Sequence, residues 1–80
     1  MTPEESYKRG QEAYYHETGD VFKVRVLKNT STTEWLRYTL EILDVKQTTA
    51  NNPASAGTRF NCEKKRGVAC AGLWYLLDKP

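Results

Sequence analysis

The chain has little of what catalysis, metal binding or membrane insertion draws on. It carries one histidine, His16, and two cysteines, Cys62 and Cys70. A structural zinc site takes four ligands, and its paired cysteines are usually separated by about two to four residues. The wider gap between Cys62 and Cys70 therefore supplies no metal site, and it is equally foreign to a Cys-x-x-Cys redox pair. No nucleophile is placed beside His16 by spacing, so no catalytic triad can be assembled. The acid pairs Glu4–Glu5 and Glu41 with Asp44 fall at the chain start and on an exposed strand face, where general acid–base chemistry has no cleft to work in. Gly57, Gly67 and Gly72 are too dispersed for a phosphate-cradling loop. The expectation is a protein that is not an enzyme and takes no cofactor and no metal.

Long apolar runs are missing as well. Nothing approaches the roughly 20 residues that span a bilayer, and "MTPEESYKRG" has acids where a signal peptide has its apolar core. A cytoplasmic protein without a membrane partner is the expectation. The excess of base over acid is small, 12 Lys and Arg against 10 Asp and Glu, a formal net charge of +2. That is too slight to imply nucleic acid on its own. Glu4, Glu5, Glu12 and Glu17 make the first segment acidic, whereas Arg59, Lys64, Lys65 and Arg66 form a basic stretch. Short mixed patches of this kind are ordinarily solvated surface.

What is present is alternation. The 80 residues form one small domain, residues 1–80, with a core limited by chain length. Thr2, Pro3 and Glu5 in "TPEE" spell a capping box, which predicts a helix over 3–16 with Tyr7 and Tyr14 on a narrow face and Gly19 as its stop. In "DVFKVRVLK" Phe22, Val24 and Val26 alternate with Lys23 and Arg25, the period of a half-buried strand. After the polar turn "NTST", the run "EWLRYTLEILDV" places Leu36, Tyr38, Leu40 and Ile42 on one face and Trp35, Arg37, Thr39 and Glu41 on the other. Residues 20–48 thus read as a first β-hairpin. Val45 breaks the alternation, which predicts a β-bulge at Ile42–Leu43 of the sort that bends strands in small barrels. Residues 48–57, "TTANNPASAG", read as a flexible loop.

Residues 58–78 read as a second hairpin, turning at Lys65, Arg66 and Gly67 through a type I turn with a G1 bulge. That register sets Cys62 opposite Cys70 on the inner face with Phe60, Trp74 and Leu76, and turns Arg59 and Tyr75 outward. Two buried thiols acting as small apolar groups are favoured. A Cys62–Cys70 disulfide stays open as the lesser alternative, because a cytoplasm is reducing.

The fold class expected is α+β or mainly β: a short N-terminal helix, then four to five antiparallel strands in a small, partly open barrel. In outline it is similar, by analogy alone, to oligonucleotide-binding and SH3-like barrels. Such barrels host many unrelated tasks, so no specific function is readable from the fold. The outward residues Trp35, Arg37, Arg25, Arg59 and Tyr75, with Lys64, Lys65 and Arg66, combine rings with cations, the composition that holds single-stranded nucleic acid. An extended peptide is the other ligand considered for this face. Against this stands the simpler reading that Trp35 and Tyr75 pack beneath the N-terminal helix. The functional alternative is a protein-interaction or oligomer-forming subunit with no ligand of its own, since "LWYLL", residues 73–77, is apolar on both faces. A monomer or weak homo-oligomer is expected.

Overall fold

The stretch "ETGD" sets the course of the chain. Thr18 and Gly19 take φ of 35° and 83°, the left-handed pair that a two-residue type I′ turn requires, and Glu17 faces Asp20 across it. The arms on either side are strands, β1 (Glu12–Glu17) and β2 (Asp20–Asn29). Three more follow: β3 (Trp35–Gln47), β4 (Arg59–Lys65) and β5 (Tyr75–Leu77). The structure, a computed structural model, describes residues 7–51, 54–65 and 74–80. Among the described residues the pairings are all antiparallel, in the order β4-β3-β2-β1-β5, and the five-stranded sheet curls into a half-barrel. Among the described residues there is no helix, and so none long and apolar enough to cross a membrane.

The helix expected over 3–16 is therefore corrected to a turn and a strand. In "EAYYHE" Ala13 and Tyr15 are buried while their neighbours are not, and side chains of strand-favouring shape fill a pleated surface. Gly10 takes φ of 88°, where a helix cannot continue. It closes a turn in which the Gln11 amide donates to the Lys8 carbonyl at 3.0 Å. The capping box "TPEE" lies outside the described residues. With the helix goes the idea that it shelters Trp35 and Tyr75.

Bulges give the sheet its curl. β2 and β3 pair Val24 with Ile42 but Lys23 with Asp44, so Leu43 is the extra residue, at the place where the alternation fails in the sequence. Two further register steps leave Lys46 extra on β3 and Leu27 extra on β2. Each extra residue raises the local twist and bends the strand that holds it. Past the bulge Val45 returns to the inner side and packs against the core.

The concave side is filled by alternate residues of every strand: Val24 and Val26, then Leu36, Tyr38, Leu40 and Ile42, with Cys62 and Leu76. Rings complete it. Tyr15 stacks on Phe22 at 6.1 Å and on Trp74 at 6.0 Å, and meets Phe60 edge-on at 5.1 Å. Trp74 also meets Tyr38 edge-on at 6.1 Å. Such pairs are worth about 0.5–1.5 kcal/mol each beyond the area they bury.

Of the expected 58–78 hairpin, the turn at Gly67 and the Cys62–Cys70 register lie outside the described residues. What is described differs from two simply paired arms: β4 pairs with β3, whereas Tyr75–Leu77 pairs with β1, Tyr14 facing Leu77. β5 is also tied to β4 by side chains. The Trp74 indole N–H donates to the Glu63 carbonyl at 3.2 Å, and the Lys64 ammonium donates to the Trp74 carbonyl at 2.8 Å while lying 4.7 Å from the indole centroid. The segment before β1 is anchored too. Tyr7 is buried, its hydroxyl donates to Asp78 Oδ1 at 2.8 Å, and its carbonyl accepts from Asn29 Nδ2 at 2.9 Å.

Candidate functional site

The convex side of β2, β3 and β4 carries the predicted binding residues in cross-strand rows. Trp35 faces Lys65, Arg37 faces Glu63, Thr39 faces Asn61, and Glu41 lies between Arg59 and Arg25. Period-2 alternation puts them there, because their neighbours Leu36, Tyr38, Leu40 and Ile42 are needed inside.

Electrostatics divides this face in two. At one end Arg25 lies 3.7 Å from Glu12 and 4.0 Å from Glu41, and Arg59 lies 3.7 Å from the same Glu41. Lys23 shares Glu12 at 3.4 Å. Exposed pairs of this kind contribute only about 0–1 kcal/mol to stability, yet they cancel much of the local charge that would attract a polyanion. At the other end the arginine is paired as well, and the difference is an aromatic ring beside it. The Arg37 guanidinium carbon lies 5.6 Å from the Trp35 ring centroid, while Arg37 Nε donates to Glu63 Oε2 at 2.9 Å. Beside it runs a groove of about 610 Å³ whose walls include Lys28, Thr30, Arg37, Thr39, Asn61 and Glu63.

That groove adjoins a second, of about 620 Å³, formed by Lys8, Arg9, Lys28, Asn29, Thr30 and Ser31. Lys28 and Thr30 belong to both. The β2–β3 connection shapes the junction. Ser31 N donates to Asn29 Oδ1 at 3.0 Å, and Thr30 N donates to the Arg37 carbonyl at 3.0 Å. Arg37 N in turn donates to Ser31 Oγ at 3.0 Å.

The chain matches no protein-family model, no curated protein and no solved structure. The site is thus read from its own chemistry.

The remaining predicted residues are placed as follows. Tyr75 is 46% exposed but sits apart from the Trp35–Arg37 pair, stacked on His16 at 6.1 Å with the Lys64 ammonium 5.7 Å from its ring. It borders a hollow of about 380 Å³ with His16, Glu17, Asp20 and Gln47. Lys64 points to the junction of β4 and β5, and Arg66 lies outside the described residues. Cys62 is a buried free thiol. Burial pushes its pKa up to about 12, so near neutrality it is a protonated, unreactive packing group. Cys70 lies outside the described residues. Among the described residues, no three His, Cys, Asp or Glu side chains gather as a metal ion requires.

Sequence reasoning missed Lys8, Arg9 and Lys28. The first two fall within the span expected to be a helix, and Lys28 closes the run read as a strand, which it is. "YKRGQ" and "KNTS" did hold a signal: cations next to turn-forming Gly10 and Asn29.

Proposed function

We propose that the protein is a small non-catalytic binding module that receives a single strand of nucleic acid along the groove beside Trp35. The observation that carries this reading is the half-buried Trp35 ring beside the Arg37 guanidinium, which is itself a wall of a groove also lined by Lys28, Thr39 and Asn61. A base stacked on such a ring gains about 1–3 kcal/mol and does so for any base. Thr39 and Asn61 offer hydrogen-bonding groups, though Thr39 Oγ1 already donates to Asn61 Oδ1 at 2.8 Å. The charge-balanced end around Glu41 plays no part. The site is accordingly smaller than the whole convex face.

The test is titration of a fluorescein-labelled single-stranded 12-mer at low salt. Binding that weakens as salt is added, with a log–log slope near −0.7 per phosphate contact, is the expected result. Trp35→Ala should weaken it by the stacking increment, while Trp35→Tyr should restore most of the affinity. An absence of binding by the folded protein at micromolar strand would end this reading.

A second reading is favoured by Tyr75, the exposed ring on the three-residue strand β5. A partner protein chain laid along that end of the sheet would cover it. Light scattering at two concentrations, with and without Tyr75→Ser, addresses the version in which the partner is a second copy.

A further inference from the structure

The groove between Lys8 and Ser31 has features that a solvated charged surface does not need. Its cations come from two places, Lys8 and Arg9 in the turn before β1 and Lys28 near the end of β2, and among the described residues no carboxylate lines it. Elsewhere on the convex face Arg25, Arg37 and Arg59 each meet a glutamate. The turn and the end of β2 are also fixed to one another. Asn29 Nδ2 donates to the Tyr7 carbonyl at 2.9 Å, Gly10 N to the Val26 carbonyl at 2.7 Å, and Val26 N to the Gln11 carbonyl at 2.8 Å. Tyr7 itself is buried. Like charges held together in advance repel in the empty protein, and an anion between them relieves that repulsion without the cost of ordering the backbone.

From this geometry we infer that Lys8, Arg9 and Lys28 form a subsite for neighbouring phosphate groups, as found in a phosphodiester backbone or a free polyphosphate. Cationic donors border it from two sides and are of two kinds, ammonium and guanidinium. A tetrahedral anion with several acceptor oxygens suits that arrangement better than a planar carboxylate. Continuity with the Trp35 groove through Lys28 and Thr30 lets one strand occupy both, with its bases toward Trp35 and its phosphates toward Arg9. The inference goes beyond the preceding reading, because the subsite binds phosphate whether or not a base reaches Trp35.

The test uses the full-length, ¹⁵N-labelled chain at low salt and two probes: sodium tripolyphosphate, and an abasic deoxyribose-phosphate oligomer. Expected for both are amide shifts centred on Lys8, Arg9, Gly10, Thr30 and Ser31. The doubly substituted Arg9→Gln, Lys28→Gln protein should lose about tenfold or more in affinity for each probe, while Arg59→Gln, at a cation already held by Glu41, leaves both affinities unchanged. All three positions are exposed or half-buried, and retained circular dichroism verifies the fold. If only the oligomer binds, the source is a nucleic-acid backbone; if tripolyphosphate binds as well as the oligomer, free polyphosphate is a ligand in its own right. Shifts spread over every lysine and arginine, an unchanged affinity in the double variant, or equal displacement by polyglutamate would each overturn the subsite. A chain that binds tripolyphosphate but no oligonucleotide would refute the proposed function and leave the subsite standing.

Discussion

Trp74 is the side chain whose removal should damage this fold most. It stacks on Tyr15, meets Tyr38 edge-on, and donates its indole N–H to the Glu63 carbonyl across the junction of β4 and β5. It is 4% exposed. Truncating a buried tryptophan to alanine costs about 3–5 kcal/mol through lost burial and the cavity left behind. The lost indole hydrogen bond adds about 1 kcal/mol, because Glu63 is an exposed residue and water can replace the donor at its carbonyl. A chain of 80 residues is stabilised by about 4–12 kcal/mol in all, at roughly 0.05–0.15 kcal/mol per residue. Trp74→Ala should therefore remove a third or more of that stability. Trp74→Phe keeps an aromatic ring against Tyr15 and forfeits mainly the hydrogen bond, for about 1–2 kcal/mol. Urea unfolding followed by far-ultraviolet circular dichroism reads both without relying on tryptophan emission. If Trp74→Ala unfolds within about 1 kcal/mol of the parent, the ring is not the keystone of the core and the β4–β5 junction is held by other contacts.

Three other outcomes follow from the same geometry. The Cys62 thiol has its pKa raised by burial from 9.0 to about 12, so the unfolded chain gives up this proton first. Its contribution to stability is whole below pH 9 and is lost between pH 9 and about 12, at up to about 1.4 kcal/mol per pH unit. Tyr15, also raised by burial and by the charge of Glu17, adds to the loss above its ordinary value of 10.0. Urea midpoints across pH 8–10 should fall for the parent and stay nearly flat for Cys62→Val; a fall of equal size in both would refute the assignment. At the β1–β2 turn, Gly19→Ala meets a φ of 83° and sets a methyl group 3.1 Å from Thr49 Cγ2. The expected cost is about 1–2 kcal/mol, seen as a lower thermal midpoint, and an unchanged midpoint would contradict the type I′ turn. Finally, Arg25→Gln with Arg59→Gln should leave oligonucleotide affinity within about twofold, since glutamates already hold both cations; a loss equal to that of the groove variant would return the whole convex face to the site.

The parts of this fold that were legible in the sequence are those where one physical signal acts alone. Val24, Val26, Leu36, Tyr38, Leu40 and Ile42 alternate without competition, and burial follows the alternation. The out-of-phase Val45 located the bulge at Leu43 because a strand can return a late apolar residue to the core only by adding one. The first segment carried two signals that disagreed. A capping box and the seven-residue spacing of Tyr7 and Tyr14 favoured a helix, whereas Ala13 and Tyr15 alternate and Thr18-Gly19 turns tightly. Tertiary pairing decided the matter: β1 lies between β2 and β5, with ladder partners on both edges. No local pattern announces the pairing of Tyr14 with Leu77, because the two meet only after the rest of the sheet has curled. The same misreading hid the candidate site, since Lys8 and Arg9 approach Lys28 only when residues 8–11 form a turn.

The central claim is that ligand binding is confined to the Trp35 groove and its basic extension, and amide shift mapping of the ¹⁵N-labelled chain with a single-stranded oligonucleotide at low salt tests it most directly. The account predicts shifts running from Lys8 and Arg9 through Lys28, Thr30 and Ser31 to Trp35, Arg37 and Asn61, with Arg25, Arg59 and Tyr75 silent. Shifts centred instead on Tyr75 and His16, or none at millimolar strand, would contradict it.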